Sequence, residues 1–296
     1  MTTTPADSTI ESFAAGVDGT KLYVRQRPGP RPATAVFCDG ILCDGFIWKY
    51  LWDAVRDRMS VAHWQYPGHG RSGAPLDPDA VDMTALGADV DAVRRHVGDP
   101  EVVLFGHSMG CQVALEGYRA RPAGVRGMVL LCGSYGRVTE TFKGTKVLAQ
   151  VLPKLIERVL AAPDLARAIW TRIPPDLALK VALFTGEMDE KTIRPEDVLP
   201  YLQHLTHVDF SMFLRMLKGA GEHSAEDLLP RIECPVLVVT GERDTFTPPF
   251  LAEEMQRKIP GAELFVVPGG THVAPLEQRD LVNARIDDFL KNRALA

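Results

Sequence analysis

Six short runs that are almost entirely apolar alternate along the chain with segments of helical periodicity, and this alternation restricts the fold more than any other feature. The runs are 33–38, 60–66, 101–105, 125–132, 235–240 and 262–267. Strands that are apolar along their whole length are typical of a parallel sheet covered by helices on both faces. We therefore predict an α/β fold with a mostly parallel, doubly wound sheet.

Two further strands are predicted before the first of these runs. Segments 8–15 and 21–26 are separated by a turn that contains Asp18-Gly19. An Asp-Gly pair between two strand patterns is typical of an antiparallel hairpin. With this hairpin the predicted sheet has eight strands.

The alternation stops between residues 138 and 222. This stretch has helical periodicity, contains six prolines and lacks a run typical of a strand. We predict an all-helical insertion over 138–222 in a core domain formed by 1–137 and 223–296. Its prolines are expected either to act as hinges or simply to end helices.

The run 101–105 leads into Gly106-His107-Ser108-Met109-Gly110, and a helical pattern follows. Small residues on both sides of a serine let the backbone turn sharply enough to expose the hydroxyl. A G-x-S-x-G sequence between a strand and a helix therefore predicts Ser108 as a nucleophile. An ordinary strand-to-helix turn that contains a serine is the alternative.

A serine nucleophile needs a base within hydrogen-bond reach, and that base needs a carboxylate partner. Asp244 follows the run 235–240, and His272 follows the run 262–267. Because the carboxyl ends of parallel strands meet at the same edge of a sheet, these two loops are expected beside Ser108. We predict Ser108, Asp244 and His272 as catalytic residues, with Glu242 as the alternative acid.

The other histidines fit the role of the base less well. His107 lies within the turn and is expected to point away from the Ser108 hydroxyl. Those that precede the serine in the chain, and so lack the expected order, are His63, His69 and His96. Those in the helical insertion, where ordinary helix surface is expected and a pocket position is the alternative, are His204 and His207.

A tetrahedral intermediate carries an oxyanion that needs preorganised N–H donors. The backbone N–H of Met109, directly after the nucleophile, is the first candidate. The loop Asp39-Gly40-Ile41-Leu42 offers the second in the N–H of Ile41, because Gly40 permits close backbone approach. The side chains of Ile41 and Met109 then line the site without taking part in the chemistry.

Charge and cysteine content exclude several classes of function. The net charge is −5 and no basic stripe is present, which argues against a nucleic-acid partner. The five cysteines are an odd number and lie mostly in or beside predicted strands, which favours buried free thiols in a reducing compartment. Cys38 and Cys43 have no second pair at zinc-site spacing. We predict neither a metal nor a cofactor.

The amino-terminal residues 1–8 are polar and lack the apolar centre of a signal peptide. No apolar run approaches the ~20 residues that a membrane helix needs. We therefore expect a cytoplasmic protein without a membrane span.

Together these motifs resemble the α/β-hydrolase superfamily, and the resemblance covers residues 8–292. The matching segments are Asp39-Gly40, 67–72 (PGHGRS), 106–110 (GHSMG), 235–244 (PVLVVTGERD) and 272–277 (HVAPLE). The resemblance implies that 138–222 is a lid, since the superfamily usually carries one after its sixth strand. Ser108 in place of an aspartate disfavours the epoxide-hydrolase and haloalkane-dehalogenase branches.

Two positions depart from many members of the superfamily. Asp39 stands where His is common, and Gln65 stands where Asp is common. The first departure affects the oxyanion loop, whereas the pattern predicts no consequence for the second.

The activity that we expect is hydrolysis of small-molecule carboxylic esters with a mainly apolar acyl part, through an acyl-enzyme. The same residues also suit lactones, thioesters or a carbon–carbon bond beside a ketone. A receptor-like protein that binds a ligand without turnover is the alternative from another class.

Overall fold

The structure is a computed structural model that describes residues 9–30, 33–98, 101–172, 174–184, 187–205 and 208–295. The eight strands of these residues form one sheet. They are β1 (Ile10–Ala15), β2 (Lys21–Arg27), β3 (Thr34–Cys38), β4 (Ser60–Trp64), β5 (Val102–His107), β6 (Val125–Leu131), β7 (Val236–Gly241) and β8 (Glu263–Val267).

The strand order across the sheet is β1-β2-β4-β3-β5-β6-β7-β8. β2 pairs antiparallel with β1 and with β4, and all other pairs are parallel. The prediction of a mostly parallel, eight-stranded sheet that begins with a hairpin is therefore confirmed. The loops after β3, β5, β7 and β8 leave the same edge of the sheet, because these strands run in one direction.

The α-helices of the described residues are α1 (Lys49–Arg56), α2 (Met83–His96), α3 (Met109–Ala120), α4 (Val138–Thr141), α5 (Val147–Ala161), α6 (Pro163–Trp170), α7 (Pro175–Phe184), α8 (Pro195–Leu205), α9 (Phe210–Glu222), α10 (Pro249–Lys258), α11 (Ala274–Glu277) and α12 (Arg279–Asn292). α11 and α12 are separate helices, because Gln278 between them has φ −118° and ψ 40°. No helix of the described ranges combines the length and apolarity needed to cross a bilayer.

The sheet buries a different apolar cluster on each face. Val36 and Leu104 belong to the cluster formed with α2, α3 and α10, whereas Phe37 and Phe105 belong to the cluster formed with α1 and α12. Successive side chains of a strand point to opposite faces, so apolar residues at both positions of β3 and β5 require helices on both sides. The doubly wound arrangement follows from this pattern.

Between residues 138 and 222 all regular structure in the described residues is helical, from α4 to α9. Pro163, Pro175 and Pro195 are first residues of helices, a position where a missing N–H has no cost. Pro153 and Pro200 instead lie inside α5 and α8. Five of the six prolines therefore begin helices or lie within them, and Pro174 directly precedes α7. Pro163 also follows two residues after the end of α5.

Polar contacts join two of these helices and the segment between them to the core domain. The buried carboxylate of Asp197 on α8 accepts from Lys49 Nζ at 2.5 Å and from Tyr50 Oη at 2.8 Å. Arg243, after β7, pairs with Asp189, which lies between α7 and α8. These contacts attach α7 and α8 to the core. α5 packs against α9 through Leu152, Val159 and Leu214, and α9 in turn joins the core cluster through Met212 and Met216.

All five cysteines are free, and four of them, Cys38, Cys43, Cys111 and Cys132, are buried. Burial raises the pKa of Cys38 and of the partly buried Cys234 to about 12. These thiols therefore remain protonated at neutral pH and pack as small apolar side chains. The prediction of buried free thiols is confirmed, except that Cys234 is only partly buried.

Candidate active site

Ser108 lies at the apex of the turn between β5 and α3. Its backbone has φ 55° and ψ −123°, outside the regions that non-glycine residues ordinarily adopt. The turn is sterically possible only because the residues two positions before and after Ser108 are glycines. A Cβ on Gly110 would lie 2.0 Å from the carbonyl oxygen of Cys38, and a Cβ on Gly106 would lie 2.5 Å from that of Gly110. The sharp turn expected from the sequence is thus present.

His272 and Asp244 meet Ser108 in a continuous chain of hydrogen bonds. The Nε2 atom of His272 is 3.0 Å from Ser108 Oγ, and its Nδ1 atom is 2.9 Å from Asp244 Oδ2. Since a carboxylate only accepts, Nδ1 carries the proton and Nε2 is left as the acceptor for the serine hydroxyl. The structure therefore brings together three residues that are separated by up to 164 positions in the sequence.

The carboxylate of Asp244 is fully buried and held from several directions. Its Oδ1 accepts the backbone N–H groups of Phe246 and Thr247, both at 2.9 Å, and its Oδ2 accepts the Thr247 hydroxyl at 2.9 Å. These bonds fix the carboxylate beside the imidazole. The contribution of Thr247 was missed in the sequence, although an Asp followed three residues later by Thr is a familiar turn pattern.

The alternative acid, Glu242, does not take this position. Its carboxylate is exposed and accepts the backbone N–H of Gly269 at 2.8 Å. It thereby supports the loop before His272 from outside the site.

His107 points away from the Ser108 hydroxyl, as expected. Its Nε2 lies 3.1 Å from the backbone oxygen of His272, so it supports the main chain that carries the candidate base. Burial lowers the pKa of His107 to about 3, with a further contribution from the nearby His272. His107 therefore stays neutral at physiological pH.

The other histidines of the described residues lie outside the chain of hydrogen bonds. His69 is buried, and its Nδ1 donates to Pro67 O at 3.0 Å. His96 is exposed and pairs with Ser12. His204 is only 13% exposed, with Nδ1 3.8 Å from Asp44 Oδ2, so the expectation of ordinary helix surface is wrong for this residue. Its helix packs onto the core. His207 lies outside the described residues.

Ile41 and Met109, the two expected oxyanion donors, line the same cavity as Ser108. Met109 is the first residue of α3, so its N–H has no acceptor within the helix and lies at the positive end of the helix dipole. A Cβ on Gly40 would lie 3.2 Å from Ser108 Cβ, which shows how closely the loop after β3 approaches the turn. The arrangement suits stabilisation of negative charge next to Ser108.

Asp39, where the sequence departs from many relatives, faces the core. Its buried carboxylate accepts from Trp48 Nε1 at 2.6 Å and from His63 Nε2 at 2.8 Å, and its backbone oxygen accepts from Tyr66 Oη at 2.7 Å. These bonds anchor the start of the loop that carries Ile41. No sequence pattern indicates this cluster, because its members come from separate parts of the chain.

Gln65, the second departure, holds the loop after β4. Its Oε1 accepts the backbone N–H of Arg71 at 2.6 Å, and its backbone oxygen accepts the Ser72 hydroxyl at 2.7 Å. The side chain packs so closely that a Cβ on Gly70, which has φ 50°, would lie 2.4 Å from it. The side-chain amide of Gln65 thus stabilises this loop by accepting a hydrogen bond from its backbone.

A cavity of about 330 Å³ opens above Ser108, and apart from Ser108 and Thr247 its lining is apolar. We call the part that comes from the loops after the strands the floor. It consists of the lining residues Ile41, Ser108, Met109, Phe246 and Thr247, together with His272 and Asp244, which are hydrogen-bonded in turn behind Ser108. We call the part that comes from 138–222 the roof. It consists of Val138, Phe142, Leu148, Leu152, Leu155, Phe210, Phe213, Leu214, Leu217 and Ala220. A cavity of this size is at the lower end for small-molecule sites.

Floor and roof meet through aromatic side chains. Phe246 stacks on the imidazole of His272 with ring centroids 4.9 Å apart, and Phe142 contacts Phe246 edge-on at 5.1 Å. The candidate base is therefore shielded on one side by an apolar ring that also touches the roof.

Two known proteins similar to this chain are named as hydrolases. The chain is 24% identical over 289 residues to the uncharacterized hydrolase YugF of Bacillus subtilis, covering 97% of this chain and 99% of that protein. It is 29% identical over 256 residues to the pimeloyl-[acyl-carrier protein] methyl ester esterase of Neisseria meningitidis, covering 82% of this chain and 89% of the relative. These relatives support a hydrolase activity.

The fold has a close counterpart in a solved structure. The malate-bound esterase of Thermogutta terrifontis superposes with a TM-score of 0.75 at 23% identity, covering 97% of this chain and 99% of that one. The sequence profile of the "Alpha/beta hydrolase family" matches residues 36–285. The chain therefore belongs to the α/β-hydrolase family.

Proposed function

We propose that this protein hydrolyses carboxylic esters with an apolar acyl group through an acyl-enzyme on Ser108. The observation that carries the proposal is the 3.0 Å contact between Ser108 Oγ and His272 Nε2 on the floor of an apolar cavity. A hydroxyl beside an acceptor nitrogen is an activated nucleophile, and the cavity provides room for the acyl group.

In the first half of the proposed reaction, Ser108 Oγ attacks the ester carbonyl carbon while His272 Nε2 takes the hydroxyl proton. Asp244, bonded to Nδ1 at 2.9 Å, stabilises the imidazolium that forms. The N–H groups of Ile41 and Met109 stabilise the oxyanion. The tetrahedral intermediate then collapses, the ester C–O bond breaks, and the alcohol leaves with the proton from Nε2.

In the second half, water enters beside His272 and loses a proton to Nε2 as its oxygen attacks the acyl carbon. Collapse of this second intermediate returns the proton to Ser108 Oγ and releases the carboxylic acid. We further propose that 138–222 acts as a lid. Most of the apolar lining comes from this segment, so it determines which acyl groups the site accepts.

The test is labelling of the wild type and the S108A variant with a fluorophosphonate probe, together with p-nitrophenyl esters of graded acyl length. We expect label on the wild type only and a fall in kcat of at least about 10⁴-fold for S108A. S12A is the matched control, because Ser12 Oγ lies 2.8 Å from His96 Nε2 on the exposed surface. Its label and activity should match the wild type.

Undiminished ester hydrolysis by S108A would refute the proposal. A wild type that neither takes the label nor hydrolyses any ester would favour the ligand-binding alternative. Lactones, acyl thioesters and vinylogous diketones belong in the same substrate panel, because the proposed site chemistry is shared among them. A preference for any of these over simple esters would change the substrate class and keep Ser108 as the nucleophile.

A further inference from the structure

The outer surface of α5 and α6 carries a cluster of exposed apolar side chains. Among the described residues seventeen large apolar side chains are exposed, and six of them, between 39% and 63% exposed, lie within residues 145–172. We call five of these six the α5–α6 face: Val147, Val151, Leu155, Leu165 and Ile169. Leu160 is excluded, because it lies nine residues after Val151 and therefore on the opposite side of α5. Single exposed apolar residues are normal on a protein surface, whereas a cluster indicates a contact surface.

The spacing of this face shows that α5 is apolar on two sides. Val147, Val151 and Leu155 recur every four residues and form one line along the helix. Leu152 and Val159 belong to the buried cluster with α9, on the inner side. The buried cluster accounts for the inner line and the cavity accounts for part of Leu155, whereas Val147 and Val151 have no apolar surroundings in the described part of the chain that would account for them.

The same segment is basic in an acidic protein. Residues 145–172 contain five basic and two acidic side chains, all of them exposed, which gives a charge of +3 in a chain whose net charge is −5. The basic residues are Lys146, Lys154, Arg158, Arg167 and Arg172. A two-fold dimer through this face would bring like charges together, whereas an anionic surface is complementary to it.

The α5–α6 face is also continuous with the cavity. Leu155 is 39% exposed, and it lines the cavity above Ser108. Leu155 therefore contributes both to the outer surface and to the lining of the candidate site.

We propose that the α5–α6 face docks on the surface of an anionic lipid bilayer. The five apolar side chains of the α5–α6 face enter the boundary between headgroups and acyl chains, and the flanking lysines and arginines contact the anionic headgroups. Docking does not depend on the chemistry of Ser108. The corollary that lipid-dissolved esters enter past Leu155 rests on the proposed function.

The experiment is co-sedimentation of the S108A protein with vesicles of phosphatidylcholine alone or mixed in equal amounts with phosphatidylglycerol. The use of S108A separates docking from any hydrolysis. We expect binding to the mixed vesicles only, weakened by salt because the charges are exposed. V151S/I169S and K154E/R158E should each lower the partition coefficient at least about tenfold. Thermal unfolding checks that the variants remain folded.

The matched controls are L76S, at a side chain that is 76% exposed elsewhere on the surface, and K21E, at an exposed lysine. Neither should change binding. The proposal is overturned if the mixed vesicles do not bind the protein, or if the controls weaken binding as much as the α5–α6 variants do. It is also overturned if light scattering shows a lipid-free dimer that V151S/I169S disperses, since a second copy then covers the face.

Discussion

The floor and the roof of the cavity are held by different kinds of contact. On the floor, Ser108, Asp244 and His272 are fixed by hydrogen bonds and by glycines that allow close backbone approach. In the roof, contact between apolar side chains dominates. Trp170 stacks on Phe210 and Phe213 with ring centroids 4.6 and 5.8 Å away, and its Nε1 donates to the backbone oxygen of Leu205.

This difference separates chemistry from selectivity. Hydrogen bonds have narrow geometric requirements, so a change on the floor misplaces reacting atoms. Apolar contacts tolerate substitution as long as volume is roughly conserved, so a change in the roof alters the shape of the cavity and leaves the reacting atoms in place. We therefore expect floor variants to lower turnover and roof variants to shift substrate preference.

The largest effect is expected for Asp244→Asn on the floor. The amide keeps the size of the side chain but no longer fixes the proton on His272 Nδ1, so Nε2 is no longer held as the acceptor for Ser108. We expect kcat to fall about 10⁴-fold with little change in KM. Steady-state kinetics on a short p-nitrophenyl ester measures this, and circular dichroism checks the fold.

Glu242→Gln is the matched control for this variant. Glu242 lies two residues earlier in the same loop, but its carboxylate supports only the backbone of Gly269. Its kcat should stay within a few-fold of the wild type. A larger loss for E242Q than for D244N would mean that the acid has been assigned to the wrong residue.

A smaller and different effect is expected for Leu152→Ala in the roof. Leu152 is 4% exposed and lines the cavity, so truncation enlarges it. We expect kcat/KM for long acyl chains to rise relative to short ones by about tenfold. The lost burial should reduce the free energy of unfolding by about 3 kcal/mol. The graded-ester panel and urea unfolding measure the two effects.

Leu165→Ala tests whether position in the roof is what matters. Leu165 lies on α6 and is 63% exposed, outside the cavity lining. This variant should change neither the chain-length profile nor the unfolding free energy appreciably. If L152A slowed fluorophosphonate labelling as strongly as a floor variant, the separation of chemistry from selectivity would be wrong.

The sequence predicted the floor because its requirements are local. The glycines around Ser108 and the placement of Asp244 and His272 after consecutive strands are visible without coordinates, since the parallel sheet brings these loops to one edge. The cluster around Asp39 was not visible. Its partners Trp48 and His63 lie on different elements, and only the tertiary structure brings them together.

For the roof, the sequence predicted helices but not their orientation. Apolar periodicity gave the helices of 138–222, but it did not show which line of α5 faces the cavity and which faces outward, because both are apolar. Leu152 and Val151 are neighbours in the sequence, but Leu152 is buried and Val151 is exposed. Nor did the composition show that Asp197 and His204 on α8 turn toward the core.

The smallest predicted effect concerns stability in acid. It compares a buried histidine in a loop near the floor with a histidine on the exposed surface. His69, in the loop after β4, is fully buried, and burial lowers its pKa to about 4. In the unfolded chain the pKa is about 6.5. Between these values the unfolded chain binds a proton that the folded protein does not, so stability falls as the pH drops from 6.5 toward 4.

In His69→Gln this proton uptake is removed, while the amide still has a donor for the Pro67 oxygen. Between pH 7 and pH 5 we expect H69Q to lose about 2 kcal/mol less unfolding free energy than the wild type. Urea unfolding at both pH values measures this. H96Q is the control, since His96 is exposed and should leave the pH dependence unchanged. An H69Q variant as acid-sensitive as the wild type would show that His69 already takes up its proton in the folded state, and the acid sensitivity of the loops around the floor would then have another source.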